Sequence, residues 1–207
     1  MSLWAIIPVK PLRRGKSRLA SILSEQERTQ LNKWMLETTL KSVKGVSEID
    51  NFIVISYDPT TLSIARDFGA RTVQENKLTN LNRAIRRATS AAKAFNATKV
   101  LILPADLPFI KSSVIKRFIK HSGIPPEIII SPDHRENGTN ALLINPIGII
   151  DYDFGQWSFK KHIEQAERKK LRIDICNLNG LNFDLDTPED FEYLKSTGFN
   201  INRLEEK

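Results

Sequence analysis

The order of residues predicts an α/β fold, a mostly parallel mixed sheet covered by helices on both faces, because strand-like and helix-like stretches alternate along the chain. Three apolar runs rich in β-branched residues, at 4–9 (WAIIPV), 51–56 (NFIVIS) and 99–103 (KVLIL), read as strands buried on both faces. Segments with apolar residues at helical spacing lie between them. A length of 207 residues with 41% hydrophobic content suits a single domain, 1–207, and no repeat, linker or low-complexity tract divides it.

The first strand runs into Lys10, Arg13, Arg14, Lys16 and Arg18, five cations in nine residues with no acid among them. Pro11 and Gly15 keep this basic loop from continuing as strand or starting as helix. Ser24 and Glu27 form a capping box for a helix on which Leu31, Trp34, Met35 and Thr38 recur at helical spacing, so Trp34 reads as core. After the 51–56 strand, Asp58-Pro59 starts a short helix over 60–68, and Gly69 punctuates it before a weak strand at 71–73. Thr79 or Asn80 caps a helix from 81 to about 95. Its buried face carries Leu81, Ala84, Ile85, Ala88 and Ala92, and Arg83, Arg86 and Arg87 lie on its polar face.

The 99–103 strand ends in Pro-Ala-Asp-Leu-Pro, a helix is expected over 111–121 and a strand over 127–130. A polar loop (131–139), a strand (140–145), a glycine-containing turn (154–158) and a helix to about 170 follow. A strand over 171–176 precedes the extended Phe183-Asp184-Leu185-Asp186. Thr187 then N-caps the last helix, with Pro188 at its first position.

Net charge is +7 and the isoelectric point about 9.5, which favours acidic partners: nucleotides, phosphorylated metabolites or nucleic acid. Nucleic acid is the weaker expectation, because the cations include one tight cluster without an aromatic stacking motif. Cys176 is the single cysteine, which leaves no internal disulfide and no cysteine-based zinc site, and His121, His134 and His162 show no metal-ligand spacing. No apolar run approaches membrane-spanning length and the N-terminal residues lack a signal-peptide pattern, so a cytoplasmic protein without a membrane partner is expected. A homodimer is compatible with the sequence.

A basic loop after a buried strand sits where open sheets bind ligands, and a polyphosphate is its natural partner. Gly15-Lys16-Ser17 matches the end of a P-loop, but Lys10 stands where that motif needs its first glycine, so the P-loop is rejected. An exposed cation there contributes little to folding, so replacing Lys16 is expected to leave the melting temperature nearly unchanged. Asp106, between Pro104 and Pro108, is too far from the next helix to cap it comfortably and reads as a cation holder. Asp184 and Asp186, separated by one residue, are read as pointing to opposite sides, one towards a metal and the other capping the last helix. With Asp106 they are able to hold magnesium.

This equipment suits nucleotidyl transfer. An attacking phosphate is already an anion and needs no general base, in keeping with the lack of a convincing catalytic histidine. Thr139 follows Gly138 at the mouth of a strand. Gly155 and Ser158 lie where a turn feeds a helix, and two readings are equally open: anion binding, or Ser158 merely capping and Gly155 merely turning.

The motifs P-V-K-x-x-x-x-x-K-S-R-L (8–19), L-x-x-L-N-x-A (78–84), P-A-D-L-P (104–108), G-T-N-A-L (138–142), F-G-x-x-S-F (154–159) and D-x-D-T-P-E-D (184–190) occur in order across nearly the whole chain. The set resembles the guanylyltransferases of coenzyme F-420 biosynthesis, the 2-phospho-L-lactate or phosphoenolpyruvate guanylyltransferase family. That resemblance implies a single-domain, Rossmann-like (GT-A-like) nucleotidyltransferase. It would join GTP to a phosphorylated three-carbon acid, with magnesium, releasing pyrophosphate. By the same resemblance Lys10, Lys16, Ser17 and Arg18 hold the triphosphate, and Asn82 lies near the nucleoside. Lys16, Arg18 and Asp106 are catalytic, Asp106, Asp184 and Asp186 hold the metal, and Thr139, Gly155 and Ser158 bind the acceptor. Arg13 and Arg14 fall in a variable part of the loop and receive no role. Two alternatives are another acceptor, such as molybdopterin or a sugar phosphate, and a basic nucleic-acid-binding protein. The missing Gly-x-Gly in the first loop counts against the sugar phosphate.

Overall fold

The computed structural model describes residues 2–76 and 80–204. Leu78 and Thr79, the latter one of the two caps expected for the third helix, lie outside the described residues. Seven strands, β1 (Leu3–Pro8), β2 (Asn51–Ser56), β3 (Arg71–Gln74), β4 (Lys99–Ile102), β5 (Glu127–Pro132), β6 (Thr139–Asn145) and β7 (Arg172–Ile175), form one sheet in the order β3-β2-β1-β4-β6-β5-β7. Neighbours pair in parallel except that β6 runs antiparallel to both β4 and β5.

Along β1 successive side chains point to opposite faces, and both faces are buried. Leu3, Ala5 and Ile7 join a core with Leu36 and Leu40 of α1 (Glu25–Lys44) and Phe118 of α4 (Ser112–Lys120). Trp4 and Ile6 join the opposite core with Ile85 and Ala88 of α3 (Leu81–Ala94) and Ala166 of α5 (Ser158–Arg168). The unbroken apolar run of β1 is thus what a strand covered on both sides requires. Two short helices complete the set, α2 (Pro59–Asp67) and α6 (Pro188–Ser196).

A third cluster ties the basic loop to the end of the chain: Leu19, Leu23, Leu31 and Met35 pack with Leu185, Phe191 and Leu194. Trp34 lies at its edge, its ring 4.7 Å from that of Phe199. The helix starts follow the caps read from sequence. Ser24 and Glu27 make a reciprocal capping box, Asp58 accepts from the N–H groups of Thr60 and Thr61, and Asn80 accepts from that of Arg83. Thr187 makes a second box with Asp190. Each such cap is worth about 1 kcal/mol.

Three local readings change. The basic loop contains two 3-10 turns, Leu12–Arg14 and Ser17–Ser21, where no helix was expected. β5 continues through Ser131 and Pro132 with a register shift, which shortens the polar loop. Leu81, assigned to the buried face of its helix, is exposed. It is the first residue of α3. No described helix is long and apolar enough to cross a membrane.

Candidate active site

Because β6 runs against its neighbours, its first residues Thr139 and Asn140 lie at the edge where β1, β2 and β4 end. A cavity of about 400 Å³ opens along that edge, and Lys10, Lys16, Asp106, Thr139, Gly155, Ser158, Asp184 and Asp186 all line it. Five segments far apart in sequence therefore meet in one place.

Lys16 is the centre of the arrangement and corrects the expectation of an exposed loop cation. Its side chain is only 6% exposed, and its Nζ lies 2.8 Å from Asp106 Oδ2 and 3.7 Å from Asp186 Oδ1. The backbone of Lys16 is left-handed (φ 55°, ψ 41°), a conformation a non-glycine residue adopts only where its surroundings enforce it. Burial by itself would lower the ammonium's pKa. The charge and hydrogen bond of Asp106, with Asp186 and Asp184 beyond, outweigh burial and hold it above its ordinary value. Gly15 before it is required by close approach, since a Cβ there would stand 2.5 Å from Asn32 Nδ2. Asn32, a residue the sequence did not single out, donates to the Leu12 carbonyl at 2.6 Å and so pins the loop to α1.

Asp184 and Asp186 do not point to opposite sides. Residues two apart in an extended segment share a side, and here both face the cavity while Leu185 between them is fully buried. The Leu185 N–H donates to the Asp106 carbonyl at 3.1 Å, docking this segment against the end of β4. Asp186 caps nothing: Thr187 is the N-cap, and Asp190 accepts from the N–H groups of Asp186 and Thr187. Burial, then the charge of Asp106, push the Asp184 carboxyl above the usual range, although Asn140 Nδ2 donates to it at 3.3 Å.

Three carboxylates set around one ammonium offer hard oxygen donors of the kind that suit magnesium. The three carboxylates are not gathered tightly enough to ligate one ion together. Among the described residues only His121, Asp174 and Cys176 bring three such ligand atoms within 4.8 Å of one another. That trio lies outside the cavity, with Arg172 Nη2 3.2 Å from Asp174. Magnesium needs only one or two carboxylates when phosphate oxygens and water complete its shell, so Asp106 with one partner fits.

The remaining expected residues divide. Arg18 is exposed and lies outside the cavity lining, its Nη1 donating to Asp186 Oδ2 at 2.5 Å. Ser17 is exposed and does not line the cavity, and Lys10 is exposed but does. Asn82 also stands outside the lining. Its amide clamps Phe154, accepting from the backbone N–H at 2.8 Å and donating to the C=O at 3.1 Å, which fixes the loop carrying Gly155. Ile55, Tyr57, Glu75, Leu81 and Ile85 line the β2–β3 side of the cavity.

At the β6 side, Ser158 is buried at the first position of α5 and does not cap it. The N-cap is Trp157, left-handed at φ 61° and without a capping side-chain bond. Gly155 has φ +125°, a value side chains rarely adopt, and a Cβ there would meet nothing within 4 Å. Gly138 is held rather than loose, its N–H donating to Asp133 at 2.9 Å. Thr139 Oγ1 lies 3.1 Å from Nδ1 of His162, a fully buried ring whose Nε2 accepts from the Asp153 N–H at 3.1 Å. Burial lowers the His162 pKa to about 4, further than the nearby Asp153 charge raises it.

A sequence model of the family described as "Guanylyl transferase CofC like" matches residues 3–201. The chain is 36% identical to the phosphoenolpyruvate guanylyltransferase of Rubrobacter xylanophilus, covering 96% of both chains. It is 35% identical to the 2-phospho-L-lactate guanylyltransferase of Methanocaldococcus vulcanius, over 95% of this chain and 91% of that one. Among solved structures, a cytidylyltransferase from Leptospira borgpetersenii superposes with a TM-score of 0.63 at 17% identity, over 100% of this chain and 93% of that one. A nucleotidyl transferase from Methanothermobacter superposes at 0.67 and 12%, over 95% and 97%. These two likenesses show the nucleotidyltransferase fold. With the family matched from residue 3 to residue 201 and relatives above one-third identity along nearly the whole length, the chain belongs to the CofC-like guanylyl transferase family.

Proposed function

We propose that this chain condenses GTP with phosphoenolpyruvate or 2-phospho-L-lactate, giving enolpyruvoyl- or lactyl-2-diphospho-5'-guanosine and pyrophosphate, as a step of coenzyme F-420 biosynthesis. The observation that carries this reading is the buried Lys16 ammonium set among Asp106, Asp184 and Asp186 at the sheet edge. On one side of it the cavity is walled by Ile55, Tyr57, Leu81 and Ile85, which suits a nucleoside. On the other it is walled by Thr139, Gly155 and Ser158, which suits a small anion.

A phosphate oxygen of the acceptor attacks the α-phosphorus of GTP. As the new P–O bond forms, the bond from the α-phosphorus to the bridging oxygen breaks, and its electron pair leaves on pyrophosphate. No proton is removed from the attacking oxygen, in keeping with a cavity that no histidine lines among the described residues. Lys10 at the rim and Lys16 within neutralise the triphosphate and hold it in line, so positioning and charge carry the rate. Asp106 with Asp184 or Asp186 would hold magnesium, which when bound supplies charge neutralisation between nucleotide phosphates. The Thr139 and Ser158 hydroxyls and the exposed backbone of Gly155 receive the acceptor's oxygens, while the N–H groups of Trp157, Ser158 and Phe159 are already held by Asn137 and Gly155.

Pyrophosphate release from each nucleoside triphosphate against a panel of phosphorylated three-carbon acids tests the reading. Release is expected only from GTP, and only with phosphoenolpyruvate or 2-phospho-L-lactate. Preference for another base, or release driven by a sugar phosphate, overturns it. Gly155→Val tests the acceptor side separately: acceptor KM is expected to rise about tenfold, equivalent to 1.4 kcal/mol, with GTP KM nearly unchanged. Equal, small effects on both substrates would return Gly155 to the role of a simple turn.

A further inference from the structure

We propose that His162 is a positioning residue that turns the Thr139 hydroxyl proton towards the acceptor substrate. The inference rests on the reading of Thr139 as part of the acceptor pocket.

The argument is one of proton direction. A backbone N–H can only donate, so Nε2 of His162, which faces the Asp153 N–H at 3.1 Å, carries a lone pair. The neutral ring then bears its proton on Nδ1. That Nδ1–H donates to Thr139 Oγ1 at 3.1 Å. With one Oγ1 lone pair engaged on the protein side, the Thr139 hydroxyl proton is left to point into the cavity that Thr139 lines.

A second proton on the ring would set Nε2–H head-on against the Asp153 N–H, so the tautomer is locked by geometry as well as by burial. The charged groups facing the ring are Asp153, which favours its protonation, and Lys161, which opposes it, and these two pair with each other at 3.2 Å. The edge of the ring is closed by Phe154, 5.0 Å away between centroids. His162 stands one turn after Ser158 on α5, so the helix that presents its first turn to the acceptor also sets the threonine beside it.

The chemical consequence is selectivity. A hydroxyl whose proton is kept off the protein side and aimed at the ligand favours an oxygen that carries none, such as a carboxylate or phosphate oxygen.

Two substitutions separate this role from packing. In His162→Gln the side-chain oxygen takes the place of Nε2 and still accepts from Asp153, but nothing donates to Thr139. In His162→Asn the amide nitrogen takes the place of Nδ1 and restores that donor. The expected result is an acceptor KM raised about 10- to 100-fold in His162→Gln, largely recovered in His162→Asn, with GTP KM unchanged in both. Thr139→Val, costly in the wild type, is expected to add little to His162→Gln, because the two act through one bond. The wild-type pH profile for acceptor kcat/KM is expected to show no histidine break near pH 6.5.

Equal defects in Gln and Asn variants, additive effects of Thr139→Val, or a break near pH 6.5 lost in His162→Gln would each overturn the proposal. A wild-type enzyme that turns over while His162→Gln keeps a normal acceptor KM overturns this inference alone. A wild type that uses no phosphorylated three-carbon acid overturns the reading beneath it as well.

Discussion

Lys16→Ala is expected to lower turnover about 10²- to 10³-fold, the loss seen when one preorganised charge-stabilising donor is removed. The same substitution should lower the melting temperature, contrary to what an exposed loop cation would predict. Removing one partner of a fully buried ion pair costs about 3–5 kcal/mol. Asp106 and Asp186, however, keep side chains 36% and 38% exposed, so water solvates them once they are unpaired. The cost should then approach the surface figure of about 1 kcal/mol. Since the folded-state pKa of Lys16 is raised, its contribution to stability is complete below 10.5 and is lost as pH rises through the higher folded value. The gap in melting temperature between wild type and variant should therefore close in strong alkali. Magnesium should restore the variant's melting temperature without restoring turnover, because it replaces the missing counter-charge but not the ammonium's contact with phosphate. Thermal melts from pH 7 to 11, with and without the ion, check this; a variant that melts like wild type throughout would return Lys16 to the role of a surface charge.

Asp184→Asn should move activity and stability in opposite directions. Burial and the neighbouring Asp106 make the ionised Asp184 unfavourable in the folded state, so its pKa is raised above 3.8. An acid whose folded pKa is raised destabilises the fold above that value and has no such effect below its unfolded one. The uncharged asparagine removes this strain, and its carbonyl oxygen still accepts from Asn140. A rise of about 2–4 °C per kcal/mol relieved is expected at pH 7, fading as pH falls through the raised folded pKa and absent below pH 3.8. Turnover should fall about 100-fold, since Asp184 is one of the carboxylates that would hold magnesium and one less anion would weaken that hold. A variant that is less stable than wild type at pH 7 without metal would contradict this account.

Much of the frame is legible in the sequence because it rests on local rules. β1, β2 and β4 are continuous apolar runs because both their faces are covered, and Ser24, Asp58, Asn80 and Thr187 announce helix starts by their side-chain oxygens. The site is legible in its composition and less so in its geometry. Nothing in the residue type lysine signals the left-handed backbone that turns Lys16 inward, and nothing in tryptophan signals the one that makes Trp157 the N-cap. The common side of Asp184 and Asp186 was available from simple alternation, with the apolar Leu185 between them marking the buried side. His162 was out of reach, since it meets Thr139 across 23 residues, only after α5 has packed back onto the sheet. The resemblance set Asn82 near the nucleoside, and the clamp of its amide on a backbone 72 residues away is a contact that sequence spacing does not announce.

The docking of Leu185 onto the end of β4 also has a consequence in time. Seventy-eight residues separate Asp106 from Asp184. At the usual pace of a ribosome the second carboxylate is added about 4–16 s after the first. During that interval the growing chain carries the basic loop and Asp106 but lacks the counter-charges of Asp184 and Asp186, and Leu19, Leu23 and Leu31 await the partners that Leu185 and Phe191 bring. Until that segment has been made, the nascent protein is a cationic surface without a reaction centre. On the proposed reading, turnover cannot begin before Asp186 has been added.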